Sequence, residues 1–311
     1  MANDGKHMTA PPELPDDHEP GVSKEFARFR SARVAAGSSL SIGQWFMRSR
    51  DRIAARLIAK GVTPNHVTVA GFVVSSAAAI CYFLGAGHHA PYEADVPGLT
   101  RSYWPLCGAL LLILAGACDM VDGAVARLGR LHSEFGGLLD STLDRASEMI
   151  IYLGITAHFA RSGNLTYCVL AMLALANANL ISYVKARAEE YVDDCSVGYW
   201  LRGERHAALL LAGLSAHLPI MLWQQALSPF FTVIRRVVFA RQAIRARQRG
   251  QPAPPIVPTH GWQKLLLWRY PRGSVPYDIV TGSNIAFFTV LPWIHPVFYG
   301  AADPLRRWLG G

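Results

Sequence analysis

The sequence has little charge and no cysteine pattern. Only 17% of its residues are Asp, Glu, Lys or Arg, whereas 51% are hydrophobic. The five cysteines are scattered and contain no C-x-x-C spacing, so they support neither a disulfide framework nor a zinc site. The polar N-terminus does not resemble a signal peptide, and no recognised nucleic-acid-binding motif accompanies the net charge of +8. This composition indicates a membrane protein that does not bind nucleic acid.

Long apolar runs have about the ~20 residues that a helix needs to cross a bilayer. They predict an all-α integral membrane protein with six transmembrane helices, at 66–86, 102–122, 136–160, 165–187, 203–218 and 219–240. Basic residues concentrate in alternate connections, notably 123–135 and 185–205. By the positive-inside rule, these connections and the N-terminus face the cytoplasm. We therefore expect a multi-pass protein of the cell membrane.

The composition along the chain predicts four segments. Residues Ile42, Phe46, Ile53 and Leu57 follow helical spacing between basic positions, which is typical of an amphipathic helix on a membrane surface. Near the C-terminus, the apolar stretch 283–302 is broken by two prolines, which favours a re-entrant or interfacial segment. The predicted segments are a disordered tail (1–22), an interfacial amphipathic helix (23–61), a six-helix catalytic domain (62–248) and a C-terminal extension (249–311).

Four aspartates lie between two apolar runs: Asp119, Asp122, Asp140 and Asp144. Carboxylates at the edge of a hydrocarbon layer are costly, and they usually indicate function. Spacings of three and four residues place each pair on one face of its own helix. The converging carboxylates would repel one another without a hard cation, and oxygen-only ligands suit Mg²⁺, Mn²⁺ or Ca²⁺ rather than zinc. Two such ions beside a phosphate would form a phosphoryl-transfer centre.

The stretch 119–144 also contains a complete family pattern, D-x2-D-G-x2-A-R-x8-G-x3-D-x3-D. Eight fixed letters at ~7% usage each match by chance on the order of once per billion start positions. The sequence therefore resembles the CDP-alcohol phosphotransferases, also called CDP-alcohol phosphatidyltransferases, over roughly residues 40–248. The eight matching positions are Asp119, Asp122, Gly123, Ala126, Arg127, Gly136, Asp140 and Asp144.

This resemblance implies that a phosphatidyl group passes from CDP-diacylglycerol to an alcohol, with release of CMP. It implies two Mg²⁺ or Mn²⁺ ions bound by the four aspartates, with Asp144 also acting as general base. The segment Gly61–Val62–Thr63–Pro64–Asn65 matches one that family members often place close to the nucleotide. The expected nucleotide-binding residues are Thr63, Pro64, Asp119, Gly123, Arg127 and Gly136.

The acceptor alcohol is indicated by a second group of residues. Ser182, Lys185 and Arg187 form S-Y-V-K-A-R, and Arg202 and Arg205 follow in L-R-G-E-R. This arrangement resembles the phosphatidylinositol-phosphate synthases of the family, in which such residues bind the acceptor's phosphate. Arginine binds phosphate through two parallel hydrogen bonds, and lysine adds a point charge. Positive-inside topology would explain one or two of these residues without a ligand. We expect inositol phosphate as the phosphorylated polyol acceptor, and a homodimer in the lipid bilayer.

Other functions stay open at this stage. Glycerol 3-phosphate could be the acceptor, which would make the protein a phosphatidylglycerophosphate synthase, and an unphosphorylated alcohol is a further alternative. A membrane transporter with intramembrane acids belongs to a different class. The aspartates cluster at one membrane face, and the sequence has no inverted repeat, so a transporter is disfavoured. An inactive scaffold is disfavoured by the intact motif.

Overall fold

The computed structural model describes residues 37–93, 99–252, 254, 275–291 and 294–310. The predicted tail 1–22 lies outside these residues, as does the 23–36 part of the predicted interfacial helix. Residues 1–43 and 44–311 form two separate units, and the site lies wholly within the second. Apart from one isolated bridge, every regular element in the described ranges is helical. The helices are α1 (Gly37–Ala59), α2 (Pro64–Gly85), α3 (Trp104–Leu128), α4 (Glu134–Arg161), α5 (Leu165–Ala188), α6 (Arg202–Leu214), α7 (Leu218–Gln248), α8 (Val275–Val290), a 3₁₀ turn (Pro296–Tyr299) and α9 (Pro304–Trp308).

The core lies between α2, α3, α4, α5 and α7. Helix α2 packs on α3 and α4, α5 packs on α4 and α7, and α6 packs on α3 and α7. Glycines allow the closest approaches: a Cβ on Gly154 of α4 would lie 2.4 Å from the Ala79 carbonyl oxygen of α2. Gly108 and Gly213 make room in the same way for the fully buried Tyr82. Small residues at crossings are typical of helices packed in a bilayer, where close backbone contact replaces hydrophobic driving force.

Three of the described helices are both long and apolar enough to cross a membrane, namely α2, α3 and α5. Helix α4 has 28 residues and is long enough, but its first half carries the acidic residues of the motif. Helix α6 has 13 residues and therefore rises about 20 Å, which is less than the ~30 Å of a bilayer core. The all-α membrane character is thus confirmed, whereas six crossings stay a prediction.

The most uncertain predicted boundary, between 203–218 and 219–240, falls close to a real break. Helix α6 ends at Leu214, and α7 begins at Leu218 with Pro219 in its first turn, as predicted. Pro229 does not end α7, which continues to Gln248. A proline removes the N–H that would bond the carbonyl four residues earlier. Here Asn177 of α5 supplies a replacement, because its Nδ2 lies 3.2 Å from the Gln225 carbonyl oxygen and 2.7 Å from that of Ala226.

The C-terminal extension docks along α6. At its start, the Tyr277 hydroxyl donates to Glu204 Oε1 at 3.1 Å in the first turn of α6. Near its end, the Phe288 carbonyl lies 3.1 Å from His217 Nδ1 in the turn after α6. Helix α8 therefore runs parallel to α6 over its full length. The sequence favoured a re-entrant or interfacial segment here; the structure describes a 16-residue helix that reaches the opposite end of the bundle.

Beyond α8, Asp303 caps two helices at once. Its carboxylate accepts hydrogen bonds from the backbone N–H groups of Leu165 at 2.7 Å, Thr166 at 3.1 Å and Arg306 at 3.1 Å. Burial alone would raise the pKa of the Asp303 carboxyl, but these bonds and one from the Thr166 hydroxyl outweigh it and lower that pKa below its usual value. The Arg306 guanidinium also reaches the Gly163 carbonyl oxygen at 3.3 Å. The extension is thereby attached to the α4–α5 turn.

Candidate active site

The starts of α2 and α4 meet beside the acidic motif. Gly61 has φ +74°, a conformation that glycine tolerates, and it follows the end of α1 at Ala59. Thr63 is the N-cap of α2, and Pro64 lies in its first turn. At α4, the Ser133 hydroxyl accepts a 2.9 Å hydrogen bond from the Gly136 N–H. A Cβ on Gly136 would lie 3.2 Å from Asn65 Oδ1, so the Thr63–Asn65 segment is adjacent to the glycine of the motif.

Three aspartates form the centre of the site. Asp119 near the end of α3 and Asp140 and Asp144 in the first turns of α4 each place one carboxylate oxygen within 4.8 Å of the others. Asp140 Oδ1 is buried and has no hydrogen-bond partner. A buried, unsatisfied oxygen beside two further carboxylates is an unfavourable arrangement unless a cation compensates it. The all-oxygen donor set fits a hard divalent ion.

Asp122, the fourth aspartate, lies one turn further along α3 and is buried, with 7% of its surface exposed. It does not belong to the group whose oxygens meet within 4.8 Å. Instead, the Thr68 hydroxyl of α2 donates to Asp122 Oδ2 at 2.9 Å. The structure thus brings three of the four predicted metal ligands together and holds the fourth against α2. Sequence reasoning missed Thr68, although its position one turn after Pro64 could have indicated it.

Arg202 lies directly on the aspartate cluster. Its guanidinium contacts both oxygens of Asp144, with Nη2 at 2.5 Å from Oδ1, and Nη1 lies 3.5 Å from Asp119 Oδ1. The Arg202 side chain is 42% exposed, so it has access to solvent. The residue therefore supplies one positive charge to the acidic cluster and presents a guanidinium where a phosphate could approach.

Arg205, predicted as a second phosphate ligand, has a different environment. Its side chain is 2% exposed. Nε and Nη2 both donate to Glu148 at 2.8 Å, and Nη1 donates to the Trp200 carbonyl oxygen at 3.3 Å. Sequence reasoning missed Glu148. Its position four residues after Asp144 continues the acidic face of α4 and could have indicated it.

The remaining predicted acceptor residues lie around the end of α5. The Ser182 hydroxyl donates to the Ala178 carbonyl oxygen at 3.1 Å. The Lys185 ammonium lies 3.6 Å from Glu189, and Arg187 pairs with Glu190. Among the contacts of the described residues, none joins Ser182, Lys185 or Arg187 to an aspartate of the motif. The structure places them in the last two turns of α5 and does not link them to the aspartates.

Two predicted nucleotide-binding residues pack on each other at the end of α3. A Cβ on Gly123 would lie 3.2 Å from Arg127 Nη1, so the exposed Arg127 folds back over the glycine. The absence of a side chain at Gly123 therefore leaves room for this guanidinium.

The family model for CDP-alcohol phosphatidyltransferase matches residues 61–243. The archaetidylinositol phosphate synthase of Methanothermobacter thermautotrophicus is 35% identical over 202 residues, which cover 63% of this chain and 90% of that protein. The phosphatidylinositol phosphate synthase of Streptomyces avermitilis is 32% identical over 213 residues, covering 64% and 80%.

Two crystal structures of the Mycobacterium tuberculosis phosphatidylinositol phosphate synthase are similar to this fold. One has CDP-DAG bound and matches with a TM-score of 0.52 at 25% identity, covering 62% of this chain and 94% of that chain. The other is a complex with manganese and citrate, with a TM-score of 0.52 at 27% identity, covering 62% and 88%. The manganese in that relative supports the predicted use of a divalent metal.

Proposed function

Because the chain belongs to the CDP-alcohol phosphatidyltransferase family, we propose that it transfers the phosphatidyl group of CDP-diacylglycerol to inositol phosphate. In this reaction an acceptor hydroxyl attacks the phosphorus that carries the diacylglycerol. The bond from that phosphorus to the CMP oxygen breaks, and the hydroxyl proton leaves to a base. The observation that carries the proposal is the position of Arg202, whose guanidinium lies on Asp144 and Asp119 at the mouth of the acidic cluster.

The aspartates would hold the divalent cations. Asp119, Asp140 and Asp144 supply converging oxygens, and the partnerless Asp140 Oδ1 fits a bound ion. We assign Asp122 to the same centre, oriented by Thr68. Two Mg²⁺ or Mn²⁺ ions would neutralise the pyrophosphate and stabilise the departing CMP. A pair of cations would compensate the electrostatic repulsion among these closely spaced carboxylates.

The chain's own residues perform the other steps. Asp144 accepts the proton of the acceptor hydroxyl as general base. Thr63, Pro64, Gly123, Arg127 and Gly136 surround the nucleotide, where the glycines permit close approach.

Arg202 would bind the acceptor's phosphate once cations compensate Asp144 and Asp119, because it is then released from those carboxylates. Ser182, Lys185 and Arg187, in the last two turns of α5, would supply further polar and basic groups for this phosphate. The similar sequences include an archaetidylinositol phosphate synthase and a phosphatidylinositol phosphate synthase, which supports inositol phosphate as acceptor over glycerol 3-phosphate.

We propose that the site faces the cytoplasm. Arg247 near the end of α7 contacts the Tyr191 carbonyl oxygen just after α5 at 3.4 Å, so the basic residues at the ends of these two helices lie together, as the positive-inside rule expects of a cytoplasmic face. Helix α1 exposes Trp45 and Phe46 and buries Ala54 against Ala124, as expected for a helix on the membrane surface. We further propose that α2–α7 make the six crossings. The short α6 would cross because Arg202 lies at the aspartates and the Leu214 carbonyl oxygen accepts a 3.1 Å hydrogen bond from Tyr92 in the 87–101 connection. Helix α8 would cross beside α6. The homodimer stays a prediction.

The test is an acceptor panel with the purified protein in proteoliposomes. CMP release from labelled CDP-diacylglycerol is measured with inositol phosphate, glycerol 3-phosphate and free inositol. We expect turnover with inositol phosphate. Arg202→Ala should raise its KM by about ten- to a hundredfold, because a charge-assisted bond contributes roughly 1.5–3 kcal/mol. Arg202→Lys should recover part of this loss. Turnover with glycerol 3-phosphate alone would assign the other acceptor, and efficient use of free inositol would exclude a phosphate pocket.

A further inference from the structure

Two arginine–carboxylate pairs connect α6 to α4. On α4, Asp144 and Glu148 are four residues apart and lie on one face. On α6, Arg202 and Arg205 are three apart and pair with them in the same order. Helix α6 packs its backbone on α3, α7 and α8, so the long arginine side chains bridge the remaining distance to α4. A shift of α6 that moves one arginine relative to α4 therefore also moves the other.

The two pairs differ in how strongly they are held. Arg202 is 42% exposed and Asp144 21%, whereas Arg205 is 2% exposed and Glu148 18%. The inner pair has two parallel 2.8 Å bonds and a third anchor on the Trp200 carbonyl. Trp200 is itself fixed, because its Nε1 donates to Ser228 Oγ of α7 at 2.7 Å. The inner pair is the rigid one, and the outer pair lies at the end that faces solvent.

We propose that Glu148 and Arg205 are positioning residues, whose buried ion pair fixes the start of α6 so that the Arg202 guanidinium lies on the aspartate cluster. This inference rests on the proposed function, since it concerns the same site. It gives Arg205 an indirect role instead of the direct phosphate contact expected from the sequence. It also makes Arg202 a competitor of the divalent cation for Asp144, with a strength that depends on the inner pair.

A buried ion pair can also be purely structural, because removing one partner leaves the other charge uncompensated. The two roles differ in one measurable quantity, the affinity for cation. A purely structural pair would change stability alone. A positioning pair would change Mn²⁺ affinity, and it would do so through Arg202. The substitutions must therefore remove both buried charges together, as in Glu148→Met with Arg205→Met, and be combined with Arg202→Gln.

The experiment titrates Mn²⁺ into the full-length purified protein and follows free Mn²⁺ by electron paramagnetic resonance. Arg202→Gln should tighten Mn²⁺ binding by at least about tenfold, because a full positive charge leaves the carboxylates. The Glu148→Met/Arg205→Met variant should tighten it by a smaller factor. In that background Arg202→Gln should add much less than it does in the wild type. Arg205→Lys keeps the charge but cannot make two parallel hydrogen bonds to Glu148. Its Mn²⁺ affinity should lie between those of the wild type and the double variant, and it replaces the double variant in the test if that variant does not fold.

A matched control lies at the other end of the bundle. There His217 Nε2 and Glu93 Oε1 are 2.9 Å apart, and both side chains are buried. Glu93→Gln should disturb a buried pair there and leave Mn²⁺ affinity unchanged. The proposal is overturned if the double variant or Arg205→Lys binds Mn²⁺ like wild type while Arg202→Gln keeps its full effect. Failure of the proposed function would look different, since the wild type would then bind Mn²⁺ without turning over inositol phosphate.

Discussion

Thr68→Val tests whether Asp122 belongs to the metal centre. The Thr68 hydroxyl oxygen lies 2.9 Å from Asp122 Oδ2 and 3.1 Å from the Pro64 carbonyl oxygen. The hydroxyl has only one proton to donate. Valine keeps the branched shape of threonine and has no donor. Loss of a hydrogen bond that orients a metal ligand typically costs ten- to a hundredfold in affinity or activity, which is about 1.4–2.8 kcal/mol. The same range follows from a hydrogen bond to a charged acceptor, roughly 1.5–3 kcal/mol.

The assay is CMP release as a function of Mn²⁺ concentration. Thr68→Val should shift the half-maximal Mn²⁺ concentration upward by ten- to a hundredfold, and Thr68→Ser should restore most of it because serine keeps the hydroxyl. Thr142→Val is the matched control: it removes an exposed hydroxyl of α4 that donates to the Leu138 carbonyl oxygen at 2.8 Å, and its Mn²⁺ dependence should stay within twofold of wild type. A Thr68→Val variant with an unshifted Mn²⁺ curve, or a Thr68→Ser variant as weak as Thr68→Val, would refute the assignment of Asp122.

Three further predictions concern the aspartates, the topology and the extension. Asp144→Asn should abolish turnover while CDP-lipid binding survives, whereas Asp119→Asn should weaken both; equal loss of binding in the two would contradict their separate roles. In a cysteine-free background, a cysteine at Arg247 should label from the cytoplasm and one at Trp308 from outside, and labelling of both from one side would exclude a crossing by α8. Asp303→Asn should destabilise the protein by ~1–2 kcal/mol, measured by thermal unfolding in detergent, because the amide keeps one acceptor oxygen and loses the charge that strengthens the capping hydrogen bonds. Folding lowers the pKa of Asp303. Its contribution to stability is therefore complete above the usual aspartate pKa of about 3.9 and is lost as the pH falls through the lower pKa of the folded state. A stability difference between wild type and variant that grows in acid would contradict this prediction.

Much of the site could be predicted because its signals are local. The spacings of Asp119 and Asp122 and of Asp140 and Asp144 specify one face on each of two helices, and Asp119, Asp140 and Asp144 do converge. The N-cap at Thr63 and the start of α7 at Pro219 follow from the backbone limits of proline and from capping chemistry. These features depend on residues within a turn or two of one another, so the chain reveals them without its fold.

The parts that could not be predicted depend on partners distant in the chain. Glu148 and Arg205 are 57 residues apart, and nothing local indicates that they meet. Pro229 alone predicts a helix break. In the structure Asn177, on another helix, donates to the Ala226 carbonyl oxygen and so helps to supply the donor that the proline lacks. The docking of α8 along α6 likewise requires a surface that several helices create together. Sequence spacing gives the faces of a helix and leaves open which face of another helix it meets.

The double cap at Asp303 has a consequence for biosynthesis. The N–H groups of Leu165 and Thr166 need an acceptor as soon as α5 forms, yet the carboxylate that provides it is 137 residues further along the chain than Thr166. At a translation rate of roughly 5–20 residues per second, about 7–27 s pass between the synthesis of Thr166 and that of Asp303. During that time water must satisfy the exposed end of the helix. Until residue 303 has been made, the start of α5 therefore lacks the acceptor that the complete fold gives it, and a chain truncated before that residue would leave these N–H groups to water.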